Sequence, residues 1–156
     1  MHTEIAVRFG LSEEAPHLKQ ALTHPSFANE QRGEADNQRL EFLGDAVLGL
    51  CASELLYERF PDADEGSLTR LRARLVNAEA LANWARDNDV AEALLLGRGA
   101  ESSGLRGSTN VLADAVEALV AATYLDAGLG AARKACEGSL VPQRAQVEAG
   151  ERRDAK

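Results

Sequence analysis

Four carboxylates stand at helical spacing inside segments that are otherwise apolar. Glu41 and Asp45 are four residues apart in NQRLEFLGDAVLGL, residues 37–50, and Asp114 and Glu117 are three apart in VLADAVEALVAATYL, residues 111–125. Residues at these separations share one face of a helix. The second segment contains no Lys or Arg, and Arg39 is the only cation in the first. Because burying unpaired carboxylates costs several kcal/mol each, the pattern predicts that a positive charge comes from outside these segments.

The donor set indicates which cation that is. Solvated surface acids are the ordinary interpretation of carboxylates on a helix, but the apolar surroundings disfavour it here. Ligation by oxygen alone favours Mg²⁺ or Mn²⁺ over zinc or iron. The histidines His2, His17 and His24 lie outside both segments, which excludes the Glu-x-x-His pairs of a di-iron bundle. We expect a magnesium site on two helices and phosphate chemistry, since paired metals can activate a water and stabilise a leaving oxygen.

Gly44 lies beside Asp45 in the first of these segments. Glycine removes a side chain where the backbone meets another group closely. We therefore expect the helix backbone at Gly44 to contact a neighbouring helix or a second subunit.

The elements that position the acids are predicted to be helices throughout, with no strand signal and no internal repeat. Capping residues, prolines and glycines set their bounds. The predicted order is a helix from Ser12 to His24 stopped by Pro25, a loop over 28–36, a helix over 36–60 stopped by Pro61, a helix over 68–87 capped by Ser67, a glycine-rich loop over 94–110, a helix capped by Ser108 or Thr109 and closed by Gly128, and a last helix over 131–147.

Length and composition predict one helical domain of ordinary globular type. The chain has 156 residues, 45% of them hydrophobic, and a formal net charge of −8, which is the wrong sign for a broad phosphate-binding surface. Cys51 and Cys136 fall in apolar runs without metal-ligand spacing and are interpreted as buried thiols in a reducing compartment. Neither a secretory leader nor a membrane-spanning stretch is present in the sequence, so we expect a cytoplasmic protein that does not bind membranes.

The segment NQRLEFLGDAVLGL resembles the signature of the ribonuclease III family, the double-strand-specific endoribonucleases. Three further segments are similar to family segments, in the same order: ALTHPSFAN (21–29), RFPDADEGSLTRLRARLVNAEALA (59–82) and VLADAVEALVAATYLDAG (111–128). The resemblance implies an all-α ribonuclease III endonuclease domain over residues 1–146 that works as a helical homodimer. It also implies that 147–156 is a linker tail toward a double-stranded-RNA-binding domain that this sequence does not include.

The resemblance carries roles over to particular positions. Glu41, Asp45, Asp114 and Glu117 match the family's metal-binding acids, with Asp45 and Glu117 as the principal catalytic residues. Phe42 matches an aromatic residue that contacts the partner subunit, although a plain core phenylalanine is the alternative. Glu65 matches an acid that helps form the RNA cleft, although a solvated turn residue is the alternative. Gln38 stands where many relatives have an acid, and it is assigned to RNA or water contacts rather than to metal. The THPS segment is interpreted as structural.

The activity that the resemblance implies is magnesium-dependent hydrolysis of double-stranded RNA, with Mn²⁺ able to substitute. The products would carry 5′-phosphate and 3′-hydroxyl ends with two-nucleotide 3′ overhangs, and the substrates would include ribosomal RNA precursors and structured messenger RNA. The main rival hypothesis is a catalytically weak RNA-binding module of the same fold, although such a module would be expected to lose one or more of the four acids. A helical dimerisation domain whose acids are accidental is disfavoured by the cost of burying them without a counter-ion. Five arginines are candidates for RNA contacts or solvated helix faces: Arg70, Arg72, Arg74, Arg98 and Arg106.

Overall fold

The structure is a computed structural model, and it describes residues 3–139. Over this range it is helical, and the one strand-like pairing is an isolated bridge between Thr23 and Leu95. The elements in chain order are α1 (Thr3–Arg8), α2 (Leu18–Ala21), α3 (Pro25–Glu30), α4 (Gln38–Arg59), α5 (Glu65–Val76), α6 (Ala78–Asp87), α7 (Val90–Ala93), α8 (Arg98–Ser102), a 3₁₀ turn (Leu105–Gly107), α9 (Thr109–Ala127) and α10 (residues 129–139). The all-α prediction is confirmed.

Helix α9 forms the centre of the core. Ten of its residues between Leu112 and Thr123 are buried, and Asp114 and Glu117 are the two half-buried exceptions in that run. Alanine is frequent along it, which lets neighbouring helices approach closely. Among the named elements, α9 makes its most extensive contact with α4 and its next most extensive with α6. The segment with the second acid pair is therefore a core helix rather than a surface helix.

The prediction for the chain before α4 is wrong in detail. Pro25 does not stop a helix but begins α3, because proline is compatible with the first turn, where no backbone N–H is needed. His24 caps α3, its Nδ1 accepting a hydrogen bond from the Ser26 N–H at 3.0 Å. The first predicted helix shrinks to the four residues of α2, and the predicted loop over 28–36 begins with the last residues of α3.

The predicted third helix is two helices. Its start lies one turn earlier, because Asp64 rather than Ser67 is the cap and accepts a hydrogen bond from the Ser67 N–H at 2.8 Å. It breaks at Asn77, whose Oδ1 accepts from the Ala80 N–H at 2.8 Å and starts α6. An asparagine cap satisfies an N–H at the start of a new helix. The glycine-rich loop that follows likewise contains α8 and the 3₁₀ turn.

The start and the end of α9 agree with their predictions. Ser108 is the cap, and its hydroxyl accepts from the Val111 N–H at 3.3 Å. Gly128 follows the helix with φ of 91°, a conformation that favours glycine. The last predicted helix begins two residues early and continues to residue 139. Its predicted end at 147 and the tail over 147–156 lie outside the described residues, so the domain boundary at 146 stays a prediction.

No helix within residues 3–139 is both long enough and apolar enough to cross a membrane.

Candidate metal centre

The site is built where α4 and α9 lie side by side. The start of α4 is held to α2 by Asn37, which is buried and donates from its side chain to the Ala21 carbonyl at 3.1 Å and from its backbone to the Thr23 carbonyl at 2.9 Å. These bonds fix the first turns of α4, and with them Glu41.

Gly44 lets the two helix backbones touch. A Cβ at this position would lie 1.7 Å from the backbone oxygen of Glu117 and 2.4 Å from its carbonyl carbon. Neither atom can move without moving α9 itself. Of the two contacts predicted for Gly44, the neighbouring helix is therefore the one that the structure has, and it places Glu117 against α4 within one turn of Glu41.

Three of the four sequence-predicted acids converge across this contact. Glu41 from α4 and Asp114 and Glu117 from α9 each offer a carboxylate oxygen, and these oxygens lie within 4.8 Å of one another. All three side chains are half-buried. We call these three residues the acid cluster. Asp45 is exposed and not part of it, but its side chain hydrogen-bonds with that of Glu117, so it lies at the solvent side of the same site.

The pKa values of the three acids in the cluster are raised above their usual values. Burial, reinforced by the hydrogen bond and charge of Asp45 and by the other two acids, raises the pKa of Glu117 to about 9. Burial and the neighbouring Asp114 raise the pKa of Glu41 to about 7. The pKa of Asp114 is also raised by burial, although a hydrogen bond with Glu41 and the charge of His24 oppose the rise. Proximity and burial thus make the fully ionised cluster unfavourable unless a cation joins it.

The donor set fits a hard divalent cation. It consists of carboxylate oxygens only, and the charged groups that shift the three acids are other acids and His24. Mg²⁺ and Mn²⁺ prefer such oxygen ligands and are held through a few carboxylates with water or substrate oxygens completing the shell. A divalent ion can replace the protons that the cluster otherwise retains.

His24 is the residue near the site that sequence reasoning assigned only a structural role. It is the cap of α3, yet its ring lies close enough to Asp114 for the two charges to interact. Burial lowers the pKa of His24, while Asp114 and Asp36 oppose that change. Ninety residues separate His24 from Asp114 in the chain, and no local pattern in the sequence indicates the contact.

The other sequence-predicted site residues lie outside the acid cluster. Gln38 is the exposed first residue of α4, one turn before Glu41, and its N–H donates to Asp36 at 3.0 Å. Glu65 is the exposed first residue of α5. Phe42 is 84% exposed, so the alternative of a core phenylalanine is wrong.

The five candidate arginines differ in how far they are already engaged. Arg106 is half-buried: its Nε donates to both Glu101 carboxylate oxygens at 3.0 Å, and its Nη1 donates to the carbonyls of Ala91 and Leu94 at 2.7 and 2.9 Å. Those contacts indicate a structural role. The remaining four are exposed: Arg70, Arg72, Arg74 and Arg98.

Helix α4 also presents apolar side chains to solvent. Phe42, Leu50 and Tyr57 are exposed, and their spacing of eight and seven residues places them on one side of the helix. Large exposed apolar groups that share a face mark interaction surfaces. We call these three residues the α4 apolar face.

The known proteins that match this chain agree with one another in their descriptions. A family model described as Ribonuclease-III-like matches residues 15–144. Ribonuclease 3 of Geobacter metallireducens is 49% identical over 136 residues, which cover 85% of this chain and 55% of that protein. Ribonuclease 3 of Enterococcus faecalis is 44% identical over 144 residues, covering 90% of this chain and 63% of that protein. The chain spans about half the length of the curated relatives that it matches.

Solved structures agree with the sequence matches. The nuclease domain of ribonuclease III from Campylobacter jejuni superposes with a TM-score of 0.83 at 32% identity, covering 92% of this chain and 98% of that one, and it is described as flexible in a region involved in dimer formation. A second structure of that nuclease domain gives a TM-score of 0.79 at 33% identity. With a family model matching most of its length and a shared fold at this identity, the chain belongs to the ribonuclease III family.

Proposed function

We propose that this chain is a magnesium-dependent endoribonuclease that hydrolyses double-stranded RNA. The reaction adds water across a phosphodiester and breaks the bond to the 3′ oxygen, leaving a 5′-phosphate on one fragment and a 3′-hydroxyl on the other. Cuts on both strands, offset by two nucleotides, give 3′ overhangs. Ribosomal RNA precursors and structured messenger RNA are the substrates that suit this activity.

The observation that carries the proposal is the acid cluster itself. Three carboxylates from two helices converge, partly buried, with ligand oxygens within 4.8 Å of one another. An arrangement this costly is unexpected on a surface that only binds RNA, since like charges there would weaken phosphate binding. Membership of the ribonuclease III family supports the same conclusion.

Each residue of the site has a proposed task. Glu41, Asp114 and Glu117 would hold a divalent ion, Mg²⁺ or Mn²⁺, in place of the protons that Glu117 and Glu41 retain without it. When bound, such an ion lowers the pKa of a water and stabilises charge on the leaving oxygen. Asp45, exposed and hydrogen-bonded to Glu117, would join these three acids as the fourth metal ligand, at the solvent side of the site. Asp45 and Glu117 remain our two principal catalytic residues.

RNA recognition is proposed to depend on duplex shape. Proteins read A-form RNA through phosphates and 2′-hydroxyls across its wide minor groove, with little readout of base edges. Exposed arginines on α5, Arg70 and Arg72, offer donors for such contacts. Gln38 and Glu65, exposed at the starts of α4 and α5, are assigned to the RNA cleft.

The functional unit is proposed to be a homodimer in the cytoplasm. The α4 apolar face suits a contact with a second copy of the chain, and Phe42 is its most exposed member. The Campylobacter jejuni relative has a region involved in dimer formation. Two sites related by a two-fold axis would let one duplex present both strands.

The test is cleavage of a long RNA duplex at low salt, with Mg²⁺ and then with EDTA. We expect the duplex to be cut only with Mg²⁺, and a single strand of the same sequence to be spared. Glu117→Gln should abolish cleavage, whereas the matched change Glu58→Gln, at an exposed position of the same helix as Glu41, should not. A duplex that is bound but left intact with Mg²⁺ would contradict the proposal and favour the RNA-binding module.

A further inference from the structure

The two cysteines of the chain line one pocket, and no residue of the acid cluster lines it. Cys51, on α4, and Cys136, on α10, are both free and buried, with exposed fractions of 7% and 1%. Both line the same pocket where the two helices meet, and each shifts the pKa of the other. They are 85 positions apart in the chain, so the fold alone brings them together.

The pocket gives small molecules a route to this pair. Its volume is about 280 Å³, whereas a water molecule occupies about 30 Å³ of liquid. It is lined by both cysteines, by Leu55 and by four charged side chains: Glu54, Glu58, Arg133 and Glu137. Arg133 donates to Glu54 at 3.4 Å at the rim. A molecule as small as hydrogen peroxide fits in this space.

We propose that Cys51 and Cys136 form a reversible intrachain disulfide when the protein meets a hydroperoxide. The geometry distinguishes this pair from two unrelated buried thiols, because both line the same pocket at the contact between α4 and α10. The proposal concerns a site separate from the acid cluster, and it holds or fails independently of the ribonuclease activity.

The two thiols have different roles. The hydrogen bond from Cys136 and the nearby Arg133 guanidinium lower the pKa of Cys51, although burial opposes the effect. The same hydrogen bond, with burial, raises the pKa of Cys136. A thiolate is the nucleophile in such chemistry, so Cys51, the more exposed of the two, attacks first and Cys136 resolves.

The reaction balances in two steps. In the first, the Cys51 sulfur attacks one peroxide oxygen, the O–O bond breaks, sulfur is oxidised to sulfenic acid, and the departing hydroxide takes the thiol proton and leaves as water. In the second, the Cys136 sulfur attacks the Cys51 sulfur and displaces its hydroxyl, which leaves as water with the Cys136 proton. With hydrogen peroxide, one peroxide is thereby reduced to two waters while two thiols become one disulfide.

A thiolate metal site is the competing interpretation of two adjacent cysteines, and the structure disfavours it. Structural zinc requires four ligands at tetrahedral spacing. Within residues 3–139, the only group of three or more potential ligands that converge is the acid cluster, and it contains neither cysteine.

The experiment uses the folded chain, reduced and then freed of reductant, with hydrogen peroxide as the probe. Because the chain has two cysteines, free-thiol counting should fall from two per chain to zero, and the mass should fall by about 2 Da as two hydrogens leave. The product should migrate as a monomer without reductant, and a dithiol should restore both thiols. Peptide mapping should recover Cys51 linked to Cys136.

Single variants test the assigned order. Cys136→Ala should stop at a sulfenic acid on Cys51, captured by a dione reagent, and Cys51→Ala should react much more slowly. Folding of both is checked by circular dichroism, and Cys51→Ser and Cys136→Ser replace any variant that does not fold. Wild-type protein that keeps both thiols when folded but loses them in urea, or that forms only interchain bonds or higher oxides, would overturn the proposal. Equal reactivity of Cys51→Ala and wild type would overturn the order.

Discussion

Replacing Gly44 by alanine tests the helix contact on which the site depends. The added Cβ would lie 1.7 Å from the Glu117 backbone oxygen, whereas Cβ atoms in proteins essentially never come closer than 3.0 Å, so α4 and α9 must separate by at least the 1.3 Å between these values. Inserting a methyl group into a packed interior costs about 1–3 kcal/mol. Because the obstructing atoms are backbone, we expect Gly44→Ala to lower the free energy of unfolding by about 3 kcal/mol or more.

The matched control is Gly49→Ala in the same helix. A Cβ at Gly49 meets nothing within 4 Å, and replacing glycine by alanine inside a helix stabilises it by about 0.5–1 kcal/mol. Both variants are compared with the parent by equilibrium urea unfolding, and sedimentation is run in parallel so that a change in self-association at position 49 is recognised. The opposite signs of the two effects are the expected result.

A second readout connects this contact with the site. When α9 moves away from α4, Glu117 becomes less buried, so its pKa should fall from about 9 toward its usual 4.5. Carboxyl titration followed by NMR measures this directly. A Gly44→Ala protein that unfolds within about 0.5 kcal/mol of the parent and keeps the raised Glu117 pKa would refute the account of the helix contact.

Three further predictions concern the site, the core and the surface. The folded-state pKa of Glu117 is raised from 4.5 to about 9. Its contribution to stability is therefore fully present below pH 4.5 and is lost as the pH rises toward 9. Without metal, Glu117→Gln should flatten that decline and unfold at a higher urea concentration than the parent at pH 8. His17 contacts the 7% exposed side chain of Asp126 at 2.5 Å, so His17→Ala should cost about 1–3 kcal/mol in urea unfolding, and an unchanged midpoint would contradict the pairing. Phe42→Ala should leave thermal unfolding of the monomer within about 0.5 kcal/mol of the parent but weaken self-association in sedimentation, whereas unchanged association would count against the α4 apolar face.

Periodicity predicted the paired acids well because helical spacing is a local property. Glu41 with Asp45, and Asp114 with Glu117, are on the two helices to which the sequence assigned them. Gly44 gave a tertiary signal as well, since glycine in an apolar helix implies a close backbone contact. What periodicity could not supply was the distance between the pairs, which depends on how α4 packs on α9. Asp45 consequently lies at the edge of the acid cluster rather than within it.

The errors in the fold have local causes. Pro25 was expected to end a helix, but proline is equally suited to begin one, and the side chain of His24 completes the cap. At Asn77 the apolar pattern continues from Leu75 to Leu81, and it concealed a break that an asparagine cap makes possible. In both places a hydrogen bond from a backbone N–H to a capping side chain decided between two conformations that the apolar pattern allowed.

The central claim is that the acid cluster exchanges protons for a divalent cation. Isothermal titration of the chain with Mn²⁺ or Mg²⁺ at pH 7, in two buffers of different ionisation enthalpy, measures both binding and the protons released. With the pKa of Glu117 at about 9 and that of Glu41 at about 7, we expect about one proton or more released per ion. Glu117→Gln should lose both ion binding and proton release, whereas Glu58→Gln should keep both. Binding without proton release, or equal binding by Glu117→Gln, would contradict the claim.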